Sequence, residues 1–141
     1  MEKALLTFKI SRTNVNMKII KVNSLREIDK LVAEHIFGWT GFWEGVQGRH
    51  YLMGYSPVEQ PIQIGYSERE EVWHYSTDIK VAWWIIEQFQ GSLHRLSKGY
   101  SAFIHIGKDS YFKDANTPEL AICLAALKTR DIEVDLNELT L

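Results

Sequence analysis

Apolar positions recur with helical spacing in three stretches of the chain. In LREIDKLVAEHIF, Leu25, Ile28, Leu31, Val32 and Ile36 share one arc, with Arg26, Glu27, Lys30 and Glu34 opposite. Ser24, followed three residues later by Glu27, makes a capping box, and Gly38 suits a left-handed C-cap, so a helix is predicted from Leu25 to Phe37. His35 falls inside the apolar arc and reads as a hydrogen-bonded core histidine. A second helix is predicted after Ser76 and Thr77, either of which can cap it, with Asp78 in the first turn against the helix dipole. Around this helix Ala82, Ile86 and Phe89 share a buried arc with Ile79. Trp83 stands at the arc's border and Trp84 lies among Lys80, Glu87 and Gln88. Trp83 is therefore expected in the core. Trp84 is expected on the polar face, covered by another segment of the chain, by a second subunit or by a ligand. The third helix has Thr117 as cap, Pro118 at its first position and Glu119 in its first turn. Its run LAICLAALK is apolar nearly all round, which predicts deep burial, with Ala121, Ala125 and Ala126 admitting close neighbours and Cys123 as a small packing residue.

Elsewhere the period is two. KIIKV reads as a strand from Lys18, while HYLMGY and IQIGY read as two short strands around a turn interrupted by Pro57 and Pro61. GSLHRLSKG reads as a turn leading to a strand from Tyr100 to Ile106, followed by a tight GKDS turn and a partner strand at YFKD. Ala102, Ile104 and Ile106 point to one side of that strand, Phe103 and His105 to the other. Both faces are largely apolar, so the predicted class is α+β, a mainly antiparallel sheet with helices on both faces. DIEVDLNEL is an edge strand or a loosely packed arm. The Gly-rich stretch from Gly38 to Tyr55 is a loop or irregular hairpin. Its glycines neither follow a predicted strand nor open a helix, so it is neither a dinucleotide fingerprint nor a phosphate loop. Trp39, Phe42 and Trp43 either fold back as lids over the core or, with Arg49, form a stacking surface for a ring. Residues 67–71, SEREE, read as a solvated acidic connection rather than a catalytic carboxylate pair.

The chain's 141 residues are enough for one core. Residues 17–141 are read as a single domain, and residues 1–16 as an extension or an extra strand, LTFKI, pairing with it. Sixteen basic against eighteen acidic residues, mixed along the chain, offer no broad attraction to phosphate, which disfavours nucleic acid as a partner. A single cysteine gives neither an intramolecular disulfide nor a zinc or redox pair and suits a reducing compartment. No apolar run reaches the roughly 20 residues of a membrane span, and the N-terminal apolar segment is too short for a signal peptide. A cytoplasmic location without a membrane partner is expected.

Three blocks, LREIDKLVAEHIFGW, VWHYSTDIKVAWWIIE and NTPELAICLAALK, together resemble the phage ABA sandwich domain family over Ile19 to Arg130. The resemblance implies an α-β-α sandwich and small proteins of phages and prophages, with no assigned activity and so no catalytic residues to carry over. Two departures are Trp84, where a smaller or polar residue is more usual, and the N-terminal extension.

An enzyme would need a nucleophile with its base, a carboxylate pair in separated environments, or a metal site. The histidines at 35, 50, 74, 94 and 105 lack ligand spacing, so no catalytic residue, metal or cofactor is expected. The expected role is that of a non-enzymatic binding protein. One form is a trap for a small nucleotide-like ligand, with Trp39, Trp43 and Trp84 stacking and Arg49 and Arg95 holding phosphate. The other is a protein-interaction or host-takeover module, or a homo-oligomer, acting through the same aromatic surface. A small enzyme or a nucleic-acid binder is the third reading. Aromatics converging on a concave, cation-bearing pocket favour the trap, and aromatics spread over a flat patch favour the module.

Overall fold

The computed structural model describes residues 17–46, 50–57 and 69–136, so the expectations for residues 1–16, Arg49, Glu68 and the IQIGY strand lie outside the described residues. In chain order the elements are β1 (Lys18–Lys21), α1 (Leu25–His35), β2 (Thr40–Val46), β3 (His50–Tyr55), β4 (Glu70–Glu71), α2 (Ile79–Gln88), β5 (Gln90–Leu96), β6 (Gly99–Ile106), β7 (Asp109–Ala115), α3 (Pro118–Lys128) and β8 (Ile132–Asp135). There are two antiparallel three-stranded sheets, β2-β3-β4 and β5-β6-β7, and a separate parallel pair of β1 with β8. The fold is α+β and mainly antiparallel, as the strand patterns predict, and it fits a sandwich of helices and sheets.

α3 lies at the centre. It packs on β6 and β7 and is met by α1, α2 and β8, which is why every residue from Leu120 to Leu127 is buried. A helix covered on all sides needs no polar stripe, and the sequence provides none. Thr117 starts it by accepting a hydrogen bond from the Leu120 N–H at 3.3 Å. Inward-facing Ala102 and Ile104 of β6 complete this core. On the other face of the same sheet Phe103 stacks on Phe112 across the β6–β7 register, with centroids 5.4 Å apart, and His94 meets Phe103 edge-on.

The structure corrects several local expectations. α1 ends at His35, two residues before the predicted Phe37. Its buried residues are Ile28, Asp29, Val32 and Ala33, an arc turned toward Asp29 and away from Leu31 and His35. His35 is consequently half-exposed beside Glu34 rather than in the core. The capping box does form, with the Glu27 N–H donating to Ser24 Oγ, but the Glu27 carboxylate accepts from the Asn23 N–H. GSLHRL is strand β5 rather than a turn, because Ser97-Lys98 alone reverses the chain and pairs Leu96 with Gly99. Glu70–Glu71 is a short strand on β3, not a solvated connection.

The Gly-rich stretch is the hairpin alternative, with a bulge between Thr40 and Trp43. Gly41 sits in that bulge at φ +62, and a Cβ there would lie 2.5 Å from the Tyr55 ring. Only glycine meets both demands.

Candidate functional site

Asp29, at the edge of the apolar arc of α1 and about 20° from Ile36 around the helix, is fully buried. Its carboxylate accepts from Arg26 Nη1 at 2.6 Å and from the Ser76 backbone N–H at 2.7 Å. Arg26 donates onward to the carbonyls of Val72 and Trp73, and Ser76 Oγ donates to the Leu25 carbonyl. A buried carboxylate is tolerable only when paired and hydrogen-bonded, and these contacts pin residues 72–76 to the first turns of α1. Ser76 is thus part of this anchor rather than a helix cap. α2 is capped by Asp78, whose carboxylate accepts from the Lys80 N–H at 3.0 Å.

The pinned segment carries Trp73, whose role no sequence pattern marks. Trp73 joins the core to the surface: its ring is 5.8 Å from buried Trp39, 6.1 Å from buried Tyr75 and 4.5 Å from Trp84. Phe37 stacks on Tyr75 at 5.0 Å. Edge-to-face and offset arrangements of this kind hold aromatic rings in fixed orientation. Five tryptophans in one small chain were the available signal, and the VWHYS block, where Val72 and Tyr75 are core, marks which segment matters.

The Tyr75 hydroxyl is buried and makes no well-formed hydrogen bond among the described residues; its pKa is raised above the ordinary tyrosine value chiefly by burial, partly offset by the nearby Trp39 indole N–H, with Cys123, Asp29 and Glu70 adding to the rise. Removing an unsatisfied buried hydroxyl relieves a desolvation penalty. Tyr75→Phe is therefore expected to leave stability unchanged or raise it by about 1 kcal/mol in urea unfolding; a clear loss would mean that the hydroxyl has a partner. Cys123 is fully buried, and burial above all pushes its thiol pKa well up, so it packs and does not present a thiolate. A thiol reagent should label it only as fast as the protein opens.

The surface end of the aromatic chain is α2. Its buried side is Ala82, Ile85 and Ile86, and including Ile85 turns the arc away from both tryptophans. Trp83, expected in the core, is 40% exposed, and Trp84 is 41% exposed. Trp84 is covered in part by Trp73 of its own chain, and among the described residues no ring contact joins it to the β2–β3 hairpin. Ile79, also 40% exposed, joins them, and Ile79, Lys80, Trp83, Trp84 and Glu87 line a shallow, open depression of about 330 Å³. All five lie on one helix.

The other expected binding residues do not gather here. Trp39 is core, behind Trp73. Trp43 is half-exposed on β2 and Arg95 is exposed on β5, and among the described residues no ring contact joins either to Trp84. Also among the described residues, no cluster of three His, Cys, Asp or Glu could hold a metal ion, and no helix is long and apolar enough to cross a membrane.

The geometry defines a small α+β sandwich with a buried central helix and one aromatic helix face turned outward. The family model for the phage ABA sandwich domain matches residues 30–127, and the chain belongs to that family. A crystal structure of a phage protein from Bacillus cereus ATCC 14579 has the same fold, with a TM-score of 0.58 and 23% identity over 81% of this chain and 94% of that one. Among curated proteins none matches.

Proposed function

We propose that the protein is a non-enzymatic binding protein, working in the cytoplasm of the phage's host, and that it acts by docking another protein on the outer face of α2. The observation that supports this is the pairing of Trp83 with Trp84, both about 40% exposed beside Ile79 on a single helix. Adjacent apolar side chains rimmed by charges, here Lys80 and Glu87, suit an interaction site better than scattered exposed ones do, and tryptophan is among the residues most enriched at the energetic centres of protein interfaces. The small-ligand alternative has less support. A site that buries most of a ligand needs walls from several elements, and this depression has one helix as its lining and Lys80 as its one cation.

The test compares wild-type protein with the Trp83→Lys/Trp84→Lys variant by chemical cross-linking in host extract and by equilibrium dialysis against a nucleotide panel. A protein cross-linked to α2 in the wild type and lost in the variant, with no nucleotide retained, is the expected result. Micromolar retention of a nucleotide that the variant loses would replace this reading with the ligand trap.

A further inference from the structure

The α2 face has an internal symmetry that selects its partner. At about 100° and 1.5 Å per residue, Lys80 and Glu87 lie within about 20° of one another around the helix and about 10 Å apart along it. Trp83 and Trp84 fall midway between them in height and about 50° to either side of the line joining them. The stripe therefore reads cation, two indoles, anion. Neither charged side chain is in an ion pair among the described residues, and both border the depression.

Turned end for end about a two-fold axis passing between Trp83 and Trp84, this stripe complements itself. Lys80 of one copy then faces Glu87 of the other, the same pair recurs at the opposite end, and the four indoles meet around the axis. Such an arrangement is an isologous interface, in which one residue pair is made twice. The same stripe laid parallel on a copy of itself would set lysine on lysine and glutamate on glutamate, a juxtaposition that costs affinity.

We infer that the partner docked on α2 is a second copy of this chain, in an antiparallel α2–α2 dimer closed at both ends by Lys80–Glu87 pairs. This rests on the reading of α2 as a docking face and names what docks there. One short helix from each copy gives a small contact, at the low end of specific interfaces, so dissociation should fall in roughly the micromolar range.

The decisive experiment is sedimentation equilibrium of wild type, Lys80→Glu, Glu87→Lys, and an equimolar mixture of the two variants. Wild type should dimerise. Each variant alone meets itself with like charges at both ends and should dimerise at least tenfold more weakly. In the mixture every end again holds a Lys–Glu pair, so the two variants should form a mixed dimer of near wild-type affinity, which also shows that both are folded. A wild-type protein that stays monomeric at about 100 µM, or a dimer indifferent to these charges, would overturn the inference. In either case the docking reading would still stand if the Trp83→Lys/Trp84→Lys variant loses a cross-linked protein other than itself.

Discussion

Trp39→Ala should destabilise the fold by about 3–5 kcal/mol, the range for truncating a fully buried large aromatic. The indole is 1% exposed, lies against Trp73 and comes close to the backbone of Gly54, where a Cβ would stand 3.2 Å from its ring. Removing it opens a cavity between the β2–β3 hairpin and the segment at residues 72–76, and neither can collapse freely because each is held by its own hydrogen bonds. Trp43→Ala, four residues on and half-exposed, should cost under about 1 kcal/mol. Equal losses in urea unfolding would show that the hairpin's tryptophans had been assigned to the wrong sides.

Asp29→Ala should cost about 3 kcal/mol or more. The substitution strands the Arg26 guanidinium, which is partly buried, and leaves the Ser76 N–H unpaired in the core, and breaking one partner of such a network costs more than the intact network contributes. Asp29→Asn retains an acceptor for Ser76 but no charge for Arg26, so its loss should be about half as large. Chemical unfolding of the three proteins measures both. Because the network holds Trp73 behind Trp84, Asp29→Ala should also disorder the aromatic face, seen as loss of near-ultraviolet circular dichroism from the tryptophans ahead of global unfolding. A variant with wild-type stability would mean that this anchor contributes nothing net.

The helices were legible in the sequence from their apolar spacing, and two of the three from their start signals, whereas the end of α1 and the cap of α2 were not. Ser24 and Thr117 cap where their side chains predict, and the all-apolar LAICLAALK is the buried central helix. The sites where the reading failed are those governed by tertiary contacts. Asp29 stands at the edge of the apolar arc of α1, but the Ser76 N–H that makes a buried carboxylate tolerable there arrives from 47 residues away. The phase of α2 depended on whether Ile85 belongs to the buried arc, and a shift of that size moves Trp83 from core to surface. GSLHRL lacks the alternation of a half-buried strand, and it is held as β5 by pairing with β6 rather than by its own pattern. Of the expected binding residues, Trp84 is at the aromatic face, whereas Trp39 was drawn into the core by Trp73, whose part in the cluster only the fold reveals.

If the outer face of α2 docks a partner rather than supporting the fold, Trp83 reports on it more cleanly than Trp84, which also holds Trp73. The measurement is urea unfolding of Trp83→Lys alongside its sedimentation and cross-linking. The expected result is a stability loss of about 1 kcal/mol or less together with loss of self-association and partner cross-linking. A loss of about 3 kcal/mol or more, with assembly and cross-linking intact, would show that Trp83 is a core residue after all and that the face is not an interface.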